Sequence, residues 1–160
     1  MTLLALLSVL HNIVLQEPQV VLIQKQKPIA VYKDRRGNEE LTTIFNDTLT
    51  ENYFVANIYM VSKKYAFIRG SYAFDDKMIS GWVDKKEIGI YLIMRDSIPL
   101  FKSPDKNSKI SLIRNPQWYP LQVLGVDDDW LYVKYQDSTQ KVKGWLPIEY
   151  QCANPYTTCN

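Results

Sequence analysis

Few side chains in this sequence have types and spacing suited to chemistry. The only imidazole is His11, inside an apolar N-terminal stretch, and the only thiols are Cys152 and Cys159, close to the C-terminus. If the N-terminal stretch is removed on export, the remaining chain has no histidine. That outcome excludes Ser-His and Cys-His nucleophilic sites and most metal sites. Six residues separate the two cysteines, in Cys-Ala-Asn-Pro-Tyr-Thr-Thr-Cys. This spacing suits a small terminal disulfide loop, which in the chain-entropy picture stabilises by about 2 to 3 kcal/mol and ties down a tail that would otherwise fray. A metal pair would lack two further ligands, and a catalytic thiol would lack its base. A disulfide in turn implies an oxidising compartment.

The carboxylates suggest no reaction. Asp127-Asp128-Asp129 is too short a loop for calcium, which needs spaced oxygen ligands, and it reads as a tight hairpin turn. Asp75, Asp76 and Glu87 fall in turns and on solvent faces, so no carboxylate pair for sugar hydrolysis stands out. Six glycines are scattered singly, with no phosphate loop, and no cofactor or metal is expected. Asn46-Asp47-Thr48 matches a glycosylation sequon, a pattern too short to carry weight.

Aromatic side chains remain, among them eleven tyrosines and four tryptophans. Rigid rings near loops offer large contact area at low conformational-entropy cost, which suits extended peptides or sugar rings. The candidate ligand contacts are Trp118 and Tyr119, after Asn115-Pro116-Gln117, and Tyr32, Tyr53 and Phe54 earlier in the chain. Trp130 and Tyr132 join them, because Leu131 and Val133 claim the core face of the same strand. Trp82 and Trp145 each follow a glycine, Gly81 and Gly144, and read as structural corners where backbone passes close. Strand propensity alone also enriches tyrosine.

The elements that must position these rings are strands. From residue 20 onward, short apolar or alternating runs are divided by turn-formers, with no helical period over three turns. Strands are expected at Val20 to Gln24, Ile29 to Tyr32, Glu40 to Ile44, Tyr53 to Val61, Tyr65 to Ser71, Gly81 to Asp84, Ile90 to Ile93, Ile110 to Ile113, Tyr119 to Val126, Trp130 to Tyr135 and Lys143 to Leu146. Turns are expected at Arg36-Gly37-Asn38, Asp75-Asp76, Ser103-Pro104-Asp105, Asn115-Pro116 and Asp127-Asp128-Asp129.

The sequence also repeats. Ala30-Val31-Tyr32-Lys33 lies over Pro99-Leu100-Phe101-Lys102, Tyr65-Ala66-Phe67-Ile68-Arg69 over Trp130-Leu131-Tyr132-Val133-Lys134, and Ser80-Gly81-Trp82-Val83 over Lys143-Gly144-Trp145-Leu146. The order is kept at offsets of 69, 65 and 63. This collinearity predicts two related β units, residues 20–92 and 95–151, followed by the cysteine tail 152–160.

The opening Pro99-Leu100-Phe101, the hairpin ending Asp-Asp-Trp-Leu-Tyr-Val-Lys-Tyr (128–135) and the closing Gly144-Trp145-Leu146 with Ile148 and Tyr150 resemble a bacterial SH3-like (SH3b) domain. The first unit resembles it more loosely, with Tyr65 in the place of Trp130, and the tail Asn154-Pro155-Tyr156-Thr157-Thr158-Cys159 is similar to those of SH3-domain proteins from Bacteroides-like bacteria. The resemblance implies an all-β chain of two small SH3-like barrels in tandem. It further implies a non-catalytic module that binds a peptide-like or cell-envelope ligand, peptidoglycan or a partner protein. The alternative is a structural or assembly protein whose barrels form an oligomer or accessory-subunit interface. The Cys-His catalytic domain that accompanies such modules in cell-wall hydrolases has no counterpart here.

Residues 1–17 complete the expectation. Met1 to Leu15 is dominated by apolar residues and carries no charge, the length of a signal-peptide apolar region and too short for a membrane-spanning helix. No basic residue precedes it and no small-x-small cleavage site follows, which a start codon called too far downstream would explain. Export to the periplasm or cell surface, with no stable membrane span in the mature chain, is the resulting expectation. The balance of 19 basic and 17 acidic residues, net +2, reads as dispersed and gives no nucleic-acid footprint.

Overall fold

A computed structural model describes residues 17–23, 27–157 and 159. The expected signal segment and His11 lie outside them, apart from Glu17. The fold is all-β. Thirteen strands run in chain order as β1 Gln19–Leu22, β2 Ile29–Tyr32, β3 Glu40–Ile44, β4 Phe54–Val61, β5 Tyr65–Tyr72, β6 Asp75–Asp84, β7 Ile88–Leu92, β8 Ser97–Phe101, β9 Ile110–Arg114, β10 Leu121–Asp127, β11 Trp130–Gln136, β12 Lys141–Leu146 and β13 Gln151–Cys152. The 3₁₀ turn Ile148–Tyr150 precedes β13.

The strands form one antiparallel sheet in the order β3-β2-β6-β5-β4-β1-β7-β10-β11-β12-β8-β9, with β13 added to β7. The order β3-β2-β6-β5-β4 on one side of the central β1 and β7 matches, reversed, β10-β11-β12-β8-β9 on the other. Residues 20–92 and 95–151 thus contribute matching five-strand sets to a continuous sheet, joined where β10 pairs with β7.

Alternation explains the burial. In β4, Phe54, Ala56 and Ile58 are buried, and in β11 Leu131, Val133 and Tyr135 are fully enclosed. These side chains, with Val31, Ile68, Val83, Leu100, Ile113 and Leu146, belong to one hydrophobic core drawn from both sets of strands. Each fully buried aliphatic side chain contributes about 1.5 to 3 kcal/mol by leaving water. A second, smaller cluster of Val21, Tyr91 and Cys152 is closed over by Ala153 and Cys159.

Turn chemistry mostly follows expectation. Asp128 has φ 47° at the tip of the β10–β11 hairpin, Gly37 has φ 72°, and Asn115 has φ 47° beside Pro116. Asp75-Asp76 is an exception. The turn is Ala73-Phe74, and both aspartates lie in β6, with Asp75 paired to Tyr72. The outer end of this hairpin is exposed, so no core-facing alternation marks it in the sequence. β8, with Pro99 inside it, was not among the expected strands either.

Candidate functional site: two outward aromatic ladders

Because Ala66 and Ile68 turn inward on β5, Phe67 and Arg69 turn outward. Phe67 is paired in register with Trp82 of β6, and Trp82 with Tyr32 of β2. Direct partners across an antiparallel pair share a face, so Tyr32, Trp82 and Phe67 form a cross-strand row on the outside of the first strand set. The row continues to β4, where a bulge between Ile58 and Met60 brings Met60 opposite Phe67. Ring centroids are 5.4 Å apart for Phe67 and Trp82 and 6.4 Å for Tyr59 and Phe67, and Tyr65 meets the Tyr32 ring edge-on at 5.6 Å. Tyr59 and Met60 are exposed.

The second strand set repeats this row. Phe101 of β8 pairs with Trp145 of β12, Trp145 with Tyr132 of β11, and Tyr132 with Gly125 of β10, again beside a bulge, between Val123 and Gly125. Tyr132 and Trp145 stand 5.3 Å apart, and Trp130 meets Phe101 edge-on at 5.3 Å, as Tyr65 meets Tyr32. Such ring pairs contribute roughly 0.5 to 1.5 kcal/mol beyond their buried area.

The glycines before the tryptophans hold both ladders. A Cβ on Gly81 would lie 2.5 Å from Val31 Cγ1 and 2.8 Å from the Tyr32 carbonyl oxygen. One on Gly144 would lie 2.8 Å from Leu100 Cβ and 2.9 Å from the Phe101 carbonyl oxygen. Only a residue without a side chain lets β2 and β8 cross so closely over β6 and β12.

The other candidate rings lie elsewhere. Trp118 is 39% exposed and stacks on Tyr91 at 4.5 Å, with 23° between the planes. Tyr119 stacks on Tyr135, and its hydroxyl donates to the Gln136 carbonyl at 2.7 Å. Tyr53 meets Tyr156 of the tail edge-on at 5.4 Å. Burial raises the Tyr91 phenol above its ordinary value, and Tyr156 adds to the effect by its charge. Tyr53, Tyr156, Tyr91 and Trp118 therefore gather around the tail, apart from the ladders.

Two expectations are corrected. Phe54 is 1% exposed because it leads the inward alternation of β4. Trp130 is 8% exposed because Phe101, from a distant strand, covers its outer side. Neither offers a face to a ligand. Sequence reasoning missed Tyr59, Met60 and Phe67, although the offset of 65 that aligns Tyr65 with Trp130 also aligns Phe67 with Tyr132.

Cys152 and Cys159 form a disulfide with Cα atoms 5.6 Å apart. Among the described residues, no three His, Cys, Asp or Glu side chains stand close enough to hold a metal ion. Among the described residues, no helix is long and apolar enough to cross a membrane. Asn46 is 1% exposed, and its Oδ1 accepts the Phe54 amide at 2.8 Å, so the sequon asparagine is a buried structural group.

Shallow depressions flank the ladders. One of about 440 Å³ lies between Pro18, Ile58 and Tyr59 on one side and Val126 to Asp129 on the other, with Glu17, whose carboxylate accepts the Tyr59 hydroxyl at 2.8 Å. Another, about 290 Å³, is lined by Leu100, Phe101, Lys102, Lys109, Ser111 and Lys143. Compared with protein-family models, curated proteins and solved structures, the chain matches none.

Proposed function

We propose that the chain is a non-catalytic binding module, built as a tandem of two SH3-like β units and exported, that recognises a peptide-like or cell-envelope ligand. The observation that carries this reading is the ladder of outward rings repeated in register in both strand sets. Core packing explains Phe54 and Trp130 but not Tyr59 and Met60, which are 43% and 53% exposed beside Phe67 and Trp82. A rigid ring row bordered by an open cleft supplies contact area for an extended chain with little ordering cost. The disulfide supports an oxidising, exported setting.

Co-sedimentation with purified peptidoglycan and capture of purified envelope proteins test the reading. Binding that weakens about tenfold in Tyr59→Ser with Met60→Ser, both solvent-facing, is the expected result, two exposed contacts at roughly 0.5 to 1 kcal/mol each. A folded protein that binds neither material overturns it.

A further inference from the structure

We propose that the outer edge of the second strand set, β9 together with the lysine groove beside it, binds an extended acidic peptide with acidic and apolar residues in alternation. The proposal rests on the binding-module reading and names its ligand chemistry.

Five lysines that are scattered in sequence lie in the groove beside β8 and β9 and on the neighbouring β11–β12 pair. Lys102, Lys109 and Lys143 line one groove over Leu100 and Phe101. Lys134 lies directly opposite Lys143 in the β11–β12 register, and Lys141 shares its face two residues along β12. Like charges set directly opposite each other across strands are destabilising. Among the described residues, the ion pairs use Lys27, Lys33 and Lys106, and none involves these five. A small net charge therefore conceals a local excess.

The first strand set shows that the fold does not require this. Its Lys33 amide donates to the Glu39 carbonyl as the Lys102 amide donates to the Lys109 carbonyl, each at 2.8 Å. There, however, Lys33 Nζ has the Glu39 carboxylate at 3.3 Å. Likewise the register pair Arg69 and Ser80 holds the place of Lys134 and Lys143. Lys109 and Lys143 stand where the first set has Glu39 and Ser80, so the second set carries more positive charge here, and among the described residues no carboxylate forms an ion pair with it.

An anion complements the charge, and the edge selects a peptide. β9 ends the sheet, and among the described residues its strand partner is β8. Gln140 closes one end of the outer side, its side chain accepting the Arg114 amide at 3.0 Å and donating to the Arg114 carbonyl at 2.6 Å, so the backbone N–H and C=O groups left to pair are those of Ile110 and Leu112. An extended peptide supplies the matching donors and acceptors in alternation, and a sugar polymer does not. Ile110 and Leu112 are 47% and 38% exposed on one face of β9, and Lys109 and Ser111 lie on the other. A strand added alongside would place alternate side chains over Ile110 and Leu112, whose face the register shares with Phe101, Trp145 and Lys143, and the intervening ones toward Lys102 and Lys109, in the groove that Lys143 also lines.

The test uses fluorescence anisotropy of the full chain with a labelled peptide of alternating glutamate and valine. The expected result is saturable binding that weakens with salt. It should weaken about tenfold in Lys109→Glu with Lys143→Ser, which installs the residues of the first set, two partly exposed ion pairs being lost. Arg69→Ser should leave it unchanged. Methylation of alternate peptide amides should abolish it, and reversing both charges (Lys109→Glu with Lys143→Glu) should favour a lysine-valine peptide instead. Unfolding curves establish that each variant is folded. Equal binding of the methylated peptide, or of a scrambled one, overturns strand addition. Binding of oligogalacturonate without binding of the peptide assigns the face to an anionic glycan, overturning the proposal while the binding-module reading stands. Absence of all peptide binding overturns it too, independently of the envelope test.

Discussion

Trp82 and Trp145 occupy corresponding places in the sheet. Each is paired with an aromatic on the strand before it, Phe67 or Tyr132, and with another on the opening strand of its set, Tyr32 or Phe101. Each also follows a glycine pressed against that opening strand. The correspondence extends to the neighbouring β-bulges, at Ile58 to Met60 and at Val123 to Gly125. Bulges twist and re-aim a strand, and here both fall opposite the outward ring of the next strand.

Alanine at Gly81 or Gly144 should destabilise the protein by roughly 1 to 3 kcal/mol, because the new methyl has to displace backbone as well as side chain. At Gly125, where a Cβ would meet Tyr132 Cβ at 3.3 Å and Trp145 at 3.8 Å, the change should cost under about 1 kcal/mol. Urea unfolding of the three variants measures the order. Equal losses at all three positions would contradict the close-crossing account.

Legibility in the sequence followed burial. β2 and β3 end at the residues that alternation and turn signals mark, and β11 differs by a single residue. The inward period of Phe54, Ala56 and Ile58 was also present, and proximity to a loop wrongly suggested Phe54 as a ligand contact. Other features depend on distant chain. Phe101 buries Trp130 from a strand about thirty residues away, a bulge decides that Met60 faces Phe67, and the lysine groove draws on three strands and a loop. No local period encodes such juxtapositions, although the repeat offsets do predict which rings correspond.

The tail offers a redox prediction. Besides the disulfide, it is held by the Met94 amide donating to the Cys159 carbonyl and by Tyr156, whose hydroxyl reaches the Asp47 carbonyl at 3.4 Å. Cys159→Ser should cost about 2 to 3 kcal/mol, the closure entropy of a short loop. It should raise hydrogen exchange at Met94 and Ile93 before the rest of the sheet opens. Intact mass without reductant should be lower by two hydrogens than after reduction. Exchange unchanged at Met94 would mean that the tail stays docked without its bridge.

Stability should decline at both extremes of pH, through one linked pair. The Tyr135 hydroxyl donates to Asp137 at 2.7 Å, and the same carboxylate accepts the amides of Thr139 and Gln140. The Tyr135 hydroxyl, followed by the Thr139 amide, holds the Asp137 carboxyl well below its ordinary value. A carboxylate with a depressed folded value contributes fully above its unfolded value, near 4, and that contribution is lost as pH falls through the folded one. Tyr135 is pushed up to about 12, chiefly by burial and then by Asp137. As a raised phenol it contributes fully below its unfolded value, near 10, and loses the contribution as pH rises toward 12. Chemical unfolding midpoints across pH should therefore be flat between about 5 and 9. Asp137→Asn should flatten the acid side most; an unchanged acid limb in that variant would place the acid sensitivity elsewhere.

The sequon asparagine gives a test of folding against modification. Asn46 Oδ1 accepts the Phe54 amide inside the core, while its Nδ2 has no partner. A glycan on that nitrogen would have to replace core atoms, so folded protein should not accept one, and a chain glycosylated before folding should not reach this packing. Asn46→Ala should cost about 1 to 3 kcal/mol, since it strands the Phe54 amide in a site closed to water. Asn46→Asp keeps the acceptor but buries a charge, so its loss should shrink as pH drops and the new carboxyl is protonated. If Asn46→Ala unfolds at the same urea concentration as the parent, the Phe54 amide has found another acceptor, and the β3–β4 loop is not held by Asn46.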